Sequence, residues 1–184
     1  MTKGAQEVEV KYRVADLEAL EAALARLGTV LSPPLWQDDQ AYVEPGWAYG
    51  QSKIGVAFAR LRTQDGRHLF TVKKPVANEQ ACLEHESEVT DREQMHHALL
   101  LMGFQPTVRI VKVRRWCTLG EMTVCLDEVE HAGVFMEIER TVTGDSSGAA
   151  VQAELDAWAR SLGVELERTS DTYDSLVRAA LAPA

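Results

Sequence analysis

Long apolar segments are missing from this 184-residue sequence. No run of roughly 18 apolar residues occurs, so we expect neither a transmembrane helix nor a membrane partner. The first six residues also lack the apolar core that a secretory signal carries. The expected location is therefore the cytoplasm.

Cysteine is scarce, and its spacing excludes two kinds of site. The three cysteines, Cys82, Cys117 and Cys125, form no Cys-x-x-Cys pair, and an odd number cannot close a disulfide framework. Cysteine and histidine do not cluster at ligand spacing either, so a structural zinc site is not expected. We predict buried free thiols.

Positive charge is in deficit. The chain has 19 Lys and Arg against 28 Asp and Glu, a net charge of −9, which argues against a nucleic-acid-binding surface. The basic residues nevertheless cluster on a few predicted strands. A locally basic lining within an acidic protein suits a small polyanion, so we expect a small-molecule partner and no nucleic acid.

The segment 7–13, Glu-Val-Glu-Val-Lys-Tyr-Arg, alternates strictly between charged and apolar residues. On a β-strand the charged side chains lie on one face, and Val8, Val10 and Tyr12 lie on the other. This pattern ordinarily indicates a strand with one face on a core and one face in water. The same charged alternation returns in later segments: Arg60 and Arg62; Glu84, Glu86 and Glu88; Lys112 and Arg114; Glu137 and Glu139. So many charged strand faces suggest that these faces meet inside the protein.

The remaining pattern predicts about eight strands, together with several helices. Helices are expected at 16–27, with Asp16 as the N-cap, at 91–102 and at 149–162. A short strand is expected near 40–43, a strand at 68–74 should end at Pro75, and 144–148 should be a polar loop. A last short helix, capped by Ser170, carries Tyr173 as a packed residue. Strands joined by hairpins outnumber helices, which favours an α+β fold with an antiparallel sheet.

Such a sheet has two possible arrangements. In an open sheet the charged face is simply exposed to water, whereas in a closed barrel of about eight strands it lines a lumen. Apart from the first strand, where two acidic residues are followed by two basic ones, each charged strand face carries a block of one sign. Like charges two residues apart have no obvious stabilising role on a bare strand. This favours the barrel, with the helices covering its apolar outer face.

Blocks of like charge that meet in a lumen have a defined chemistry. Carboxylates held close together repel, so they take up protons or bind a divalent cation. Arginines and lysines gathered in the same way bind phosphate oxygens. A site with both suits a metal–polyphosphate ligand. The alternative is a purely structural barrel in which the charges neutralise one another.

Segments spread over about residues 6 to 178 resemble, in order, the motifs of the CYTH, or triphosphate tunnel metalloenzyme, superfamily. The matching segments are Glu7-Val8-Glu9-Val10-Lys11 for its ExExK signature, Arg60-Leu61-Arg62, Thr71-Val72-Lys73-Lys74-Pro75, Glu86-Ser87-Glu88, Lys112-Val113-Arg114, and Asp127-Glu128-Val129-Glu130 with the following 133–139 segment. Residues 5–181 are therefore expected to form a single domain of this type.

The resemblance implies an α+β fold, a closed eight-stranded antiparallel β-barrel with helices packed outside. It also implies that a triphosphate binds in the tunnel with Mg²⁺ or Mn²⁺. The implied metal ligands are Glu7, Glu9, Asp127, Glu137 and Glu139. The implied phosphate-binding residues are Lys11, Arg60, Arg62, Lys73, Lys112 and Arg114. The implied catalytic residues are Lys11, Glu9 and Asp127, and the implied acidic wall of the tunnel is Glu86 and Glu88.

The Val10–Arg13 ending of the first motif and the closing Tyr173–Leu176 segment resemble the class IV adenylyl cyclase branch, which converts ATP to cyclic AMP and pyrophosphate. One alternative is a triphosphatase that hydrolyses inorganic triphosphate, thiamine triphosphate or a nucleoside triphosphate. Another is a non-catalytic module that binds polyphosphate or a nucleotide. The expected partner is thus a small-molecule triphosphate, and the expected assembly is a monomer or homodimer. The 37–55 segment departs from the family pattern, so the tunnel mouth is not predicted.

Overall fold

Nine β-strands and four α-helices make up the part of the chain that the structure, a computed structural model, describes: residues 6–143 and 148–182. The strands are β1 (Gln6–Val14), β2 (Leu35–Val43), β3 (Phe58–Gln64), β4 (Arg67–Asn78), β5 (Ala81–Val89), β6 (Gln105–Leu119), β7 (Met122–Val129), β8 (Gly133–Val142) and β9 (Leu166–Thr169). The helices are α1 (Leu17–Arg26), α2 (Arg92–Leu101), α3 (Gly148–Ser161) and α4 (Tyr173–Leu181). The loop expected at 144–148 lies outside the described residues except for Gly148, which begins α3.

The first eight strands close into a ring. Hydrogen-bonded neighbours follow the order β5-β4-β3-β2-β6-β7-β8-β1, and β1 pairs again with β5 through Gln6↔Leu83 and Val8↔Ala81. The described strand pairs are antiparallel, and β9 is added beside the second half of β1. The predicted closed eight-stranded barrel with helices outside is confirmed.

The outward side chains of the barrel are apolar and are covered by helices. Val8, Val10 and Ile138 are fully buried in one cluster with Leu24 of α1 and Leu155 of α3. Fully burying a side chain of this size contributes about 1.5–3 kcal/mol, so this packing holds the helices against the barrel. Because side chains alternate along a strand, the charged residues between these positions must point into the barrel.

Local signals place the first two helices where the sequence predicts them. The carboxylate of Asp16 accepts a hydrogen bond from the amide of Ala19 at 2.9 Å, and that of Asp91 accepts one from the amide of Gln94 at 3.0 Å. Both contacts satisfy amide groups that have no partner within the first turn of a helix. None of the described helices has the length and apolar character needed to cross a membrane.

Several stretches differ from the sequence prediction. β2 begins at residue 35 rather than 40, because its pairing with β6 starts at Leu35 and its pairing with β3 starts at Asp38. β4 continues past Pro75 into a shift of register with β5, and such irregularities are where strands tolerate a proline. β9 was missed because its four residues depend on pairing with β1. The N-cap of α4 is Thr172 rather than Ser170.

Candidate active site in the barrel

The inward side chains of the barrel enclose a cavity of about 190 Å³. Of the site residues implied by the sequence, its lining includes Glu7, Glu9, Lys11, Arg60, Lys73, Lys112, Arg114, Glu137 and Glu139. Strand alternation brings them together from β1, β3, β4, β6 and β8, as expected from their shared faces. The other implied residues are Arg62, Glu86, Glu88 and Asp127, which the structure places elsewhere in or around the bore.

Cations at the cavity lining are paired with carboxylates. The Nζ atom of Lys73 lies 2.7 Å from Oε1 of Glu7 and 2.6 Å from Oε2 of Glu84. The Nε atom of Arg60 is buried and finds no hydrogen-bond partner among the described residues. Leaving a buried donor unsatisfied costs about 1–3 kcal/mol, more for a charged group.

Three carboxylates form a cluster beside these cations. One oxygen atom each of Glu7, Glu9 and Glu139 lies within 4.8 Å of the other two. Burial, with repulsion from Glu137, raises the pKa of Glu9 to about 7. Burial also raises the pKa of Glu7 and of Glu139 above the ordinary value. Close carboxylates that resist ionisation gain from a hard cation with oxygen ligands, so this donor set fits Mg²⁺ or Mn²⁺.

Glu137 was implied as a further metal ligand, but in the structure its carboxylate pairs with protein cations. Its Oε1 lies 3.1 Å from Nζ of Lys11, and its Oε2 accepts a hydrogen bond from Arg114. Burial opposes ionisation of Glu137, yet the two cations outweigh it and lower its pKa to about 2. Glu137 and Glu139 therefore differ in environment, although they share one face of β8.

Asp127 is fully buried behind the cavity lining. Its Oδ1 accepts a hydrogen bond from Nε of Arg114 at 2.7 Å, and its Oδ2 accepts from Nζ of Lys112 at 3.0 Å and from the Tyr173 hydroxyl at 2.8 Å. Burial opposes its ionisation, but Arg114 and Lys112 bring the pKa of Asp127 far below its ordinary value. Because protein donors occupy both oxygens, this geometry disfavours Asp127 as a metal ligand. It favours a role in orienting the two cations.

Arg62 also differs from the expectation that it binds phosphate. Its guanidinium donates two hydrogen bonds of 2.7 Å to the carboxylate of Asp39, and only 6% of the residue is exposed. Burial opposes ionisation of Asp39, but the pair with Arg62 lowers the pKa of Asp39 to about 2. Asp39 was missed because the strand predicted near 40–43 starts one residue after it. A longer strand would have put Asp39 on the inward face.

The structure separates the two acidic residues implied as the tunnel wall. Glu86 accepts a hydrogen bond from Arg60 at 3.3 Å and so contacts the cavity cations. Glu88 pairs instead with Arg67 at the outer end of the β3–β4 hairpin, where 49% of its side chain is exposed. The strand thus carries Glu88 beyond the cavity lining, and its implied place in the tunnel wall stays a prediction. Glu84, on the same face of β5 as Glu88, is the residue that contacts Lys73 of the cavity lining.

One side of the cavity is lined by segments that are far apart in the sequence. Lys53, in the loop between β2 and β3, donates to the hydroxyls of Thr172 at 2.8 Å and Ser175 at 3.0 Å. It also lies 3.1 Å from the carboxylate of Glu79, at the β4–β5 turn. Tyr173, which was expected to pack in the last helix with contact to the tunnel end as the alternative, lines the cavity beside this contact. No pattern within any one of these segments predicts their meeting.

The bore of this closed antiparallel barrel carries lysine and arginine side chains suited to phosphate oxygens, together with a carboxylate cluster. These features define a tunnel protein that binds a charged ligand in its bore. The model of the CYTH domain family matches residues 5–173, and the chain belongs to that family. Members of the family are metal-dependent, triphosphate-processing tunnel enzymes. The family resemblance found in the sequence is confirmed.

Relatives of this chain span nearly its whole length. Adenylate cyclase CyaB of Aeromonas hydrophila is 26% identical over 166 residues, which cover 88% of this chain and 83% of that protein. A solved structure from Pyrococcus horikoshii has a TM-score of 0.77 at 27% identity and covers 94% of this chain and 98% of its own. A candidate adenylyl cyclase from Hippeastrum, described as having a dominant triphosphatase activity, has a TM-score of 0.64 at 18% identity, with coverage of 96% and 98%. That last likeness shows the fold alone.

Proposed function

We propose that this chain is a divalent-metal-dependent enzyme that binds a triphosphate in the barrel cavity and converts ATP to cyclic AMP and pyrophosphate. The observation that carries the proposal is the presence, in one cavity, of cations suited to phosphate oxygens and a carboxylate cluster suited to a metal ion. Similarity to the adenylate cyclase of Aeromonas hydrophila supports the choice of reaction. Residues 5–181 would act as one domain.

Positioning and charge compensation would be the main contributions of the protein, as in phosphoryl-transfer enzymes generally. The phosphate chain would be held by five of the lining cations: Lys11, Arg60, Lys73, Lys112 and Arg114. Mg²⁺ or Mn²⁺, held by Glu7, Glu9 and Glu139, would supply Lewis acidity and neutralise phosphate charge. In the cyclase reaction the ribose 3′-oxygen bonds to the α-phosphorus while pyrophosphate leaves.

Part of the cavity lining is apolar, which supports a substrate with an organic head group. Ala41, Phe58, Pro75 and Ile110 contribute to it. Each lies on the inward face of its strand, two residues along from a charged or polar side chain of the bore. An aromatic ring and aliphatic groups suit a planar heterocycle better than a phosphate. ATP or thiamine triphosphate is therefore favoured over inorganic triphosphate.

A triphosphatase is the second candidate, because the same cations and carboxylate cluster suit hydrolysis of a triphosphate. The Hippeastrum protein, described as having a dominant triphosphatase activity, shares the fold. The same cations would hold the substrate while a water molecule attacks the terminal phosphorus. Lys11 would orient that water, because its ammonium group is held 3.6 Å from Glu9 and 3.1 Å from Glu137 at the cavity lining.

Incubation of the protein with ATP, thiamine triphosphate or inorganic triphosphate, each with Mg²⁺ or Mn²⁺, separates the candidates. Cyclic AMP plus pyrophosphate from ATP would support the cyclase, and release of phosphate would support the triphosphatase. A substrate-dependent rise in melting temperature without product would assign a non-catalytic binding module. If none of the three compounds gives product or binds, the proposal is overturned.

Two adjacent lysines provide a matched pair of variants for the binding site. Lys73 lines the cavity, whereas Lys74 points to the other face of β4 and is exposed. A hydrogen bond to a charged group contributes about 1.5–3 kcal/mol, so Lys73→Met should weaken triphosphate binding roughly ten- to a hundredfold. Lys74→Met should leave the affinity nearly unchanged. Equal losses in the two variants would mean that general charge, and not the cavity, attracts the substrate.

A further inference from the structure

Tyr173, the first residue of α4, contacts several charged groups of the cavity at once. The Nζ atoms of Lys11 and Lys112 lie 4.1 Å and 4.6 Å from the centre of its ring. Both distances are within the range in which an ammonium group is attracted to the face of an aromatic ring. The hydroxyl of Tyr173 donates to Asp127 at 2.8 Å, and Asp127 in turn accepts from Lys112. One side chain therefore contacts two cations of the cavity and the carboxylate that binds one of them.

The chain around Tyr173 is fixed so that these contacts are maintained. The ring packs edge-on against Phe135 with 5.3 Å between ring centres. On its N-terminal side, the backbone carbonyl of Asp171 accepts a hydrogen bond from Lys11 at 3.2 Å. The neighbouring Thr172 hydroxyl accepts one from Lys53 at 2.8 Å. The start of α4 is thus held from the loop between β2 and β3 and from β1.

We propose that Tyr173 is a positioning residue of the triphosphate site, and this inference rests on the function proposed above. Its ring holds the ammonium groups of Lys11 and Lys112 at the cavity, and its hydroxyl fixes Asp127. The cation set is therefore completed by α4, a helix outside the barrel sheet. A residue that only anchors α4 would stabilise the fold without fixing where the lysines point.

Lysine NMR tests the contacts without any need for turnover. Protons above an aromatic ring are shifted upfield by its ring current, so the ε-protons of Lys11 and Lys112 should be upfield of those of other lysines. With ¹³C-labelled lysine, Lys11→Arg and Lys112→Arg variants assign the two signals. Tyr173→Leu should abolish both shifts, and Tyr173→Phe should keep them. Ordinary shifts for both lysines in the wild-type protein would overturn the proposal.

Kinetics test the consequence for the substrate, with Leu176→Ala as the matched control. Leu176 packs in the same apolar cluster of α4, so its truncation loosens the helix without removing the ring. Tyr173→Leu should raise KM for the triphosphate about tenfold with a smaller change in kcat, a factor that corresponds to about 1.4 kcal/mol. Tyr173→Phe should recover most of the loss. Leu176→Ala should lower stability and leave KM within about twofold, because it removes packing alone.

The outcomes separate the two proposals. An inactive wild-type protein whose lysine signals show the ring-current shifts would refute the proposed function and leave the positioning contact standing. An active wild-type protein whose KM is unchanged by Tyr173→Leu would refute the positioning role alone. The same rise in KM for Leu176→Ala and Tyr173→Leu would also refute it, since general loosening of α4 would then be the cause.

Discussion

Replacing Glu9 by glutamine is expected to stabilise the folded protein when divalent cations are removed. Burial, with repulsion from Glu137, raises the pKa of Glu9 from its ordinary value of 4.5 to about 7. Between these values the folded state keeps a proton that the unfolded state has released, so the stability contributed by Glu9 falls as the pH rises through this window. Above it, the ionised carboxylate destabilises the fold by a constant amount.

The size of the effect follows from the same shift. At about 1.36 kcal/mol per pKa unit, the rise corresponds to on the order of 3 kcal/mol. Glutamine resembles the neutral acid, so Glu9→Gln should be more stable than the wild type by about this amount at pH 8, and by less than about 1 kcal/mol at pH 5. For a chain of this length the gain at pH 8 is a rise in melting temperature of roughly 6–12 °C. The same variant should lose metal-dependent turnover.

Urea unfolding in EDTA, followed by circular dichroism at both pH values, measures this difference. Glu137→Gln is the matched control, because Lys11 and Arg114 lower the pKa of Glu137 to about 2 despite its burial. The stability that Glu137 contributes is present above its ordinary pKa and is lost only as the pH falls towards 2, so its removal should destabilise the protein at pH 5 and at pH 8. Added Mg²⁺ should stabilise the wild type more than Glu9→Gln.

The reasoning would be refuted by a Glu9→Gln protein that is no more stable than the wild type in EDTA at pH 8. Equal stabilisation by Glu137→Gln would refute it as well. In that case, the loss of any negative charge from the barrel would explain the gain in stability, and repulsion within the carboxylate cluster would not be its cause.

Three further variants test other contacts. Arg114→Met leaves Asp127 buried without its main cation. Breaking such a pair should lower the free energy of unfolding by about 3–5 kcal/mol, which urea unfolding measures. A loss below about 1 kcal/mol would contradict the pairing. Lys53→Met removes the contact between the β2–β3 loop and α4, so the amides of α4 should exchange hydrogen faster in mass spectrometry; unchanged exchange would show that other contacts hold the helix. Glu88→Gln removes only an exposed pair with Arg67, so stability should change by less than about 1 kcal/mol and turnover should be retained. A large loss of turnover would support the implied role of Glu88 in the acidic tunnel wall.

Strand alternation and the order of the motifs determined the barrel and most of its charged lining. On β1, a period of two assigns each residue to one face whatever the neighbouring strand is, so Glu7, Glu9 and Lys11 could be placed together from the sequence. The apolar residues between them require cover, which predicts helices on the outside. The blocks of like charge favoured a closed sheet and a metal–polyphosphate ligand, and the resemblance of the charged segments to one family implied both as well.

Only the tertiary structure decided which charges pair with one another. Glu137 and Glu139 have the same side chain on the same face of β8, yet their partners differ. Glu137 pairs with Lys11 and Arg114, whereas Glu139 joins the carboxylates of Glu7 and Glu9 and lies 3.6 Å from Arg114. Arg62 is taken by Asp39 from a neighbouring strand, and Tyr173 reaches the bore from the last helix. These environments depend on separations of a few ångströms. The register between strands and the return of the distant α4 set those separations, and the sequence of a single strand specifies neither.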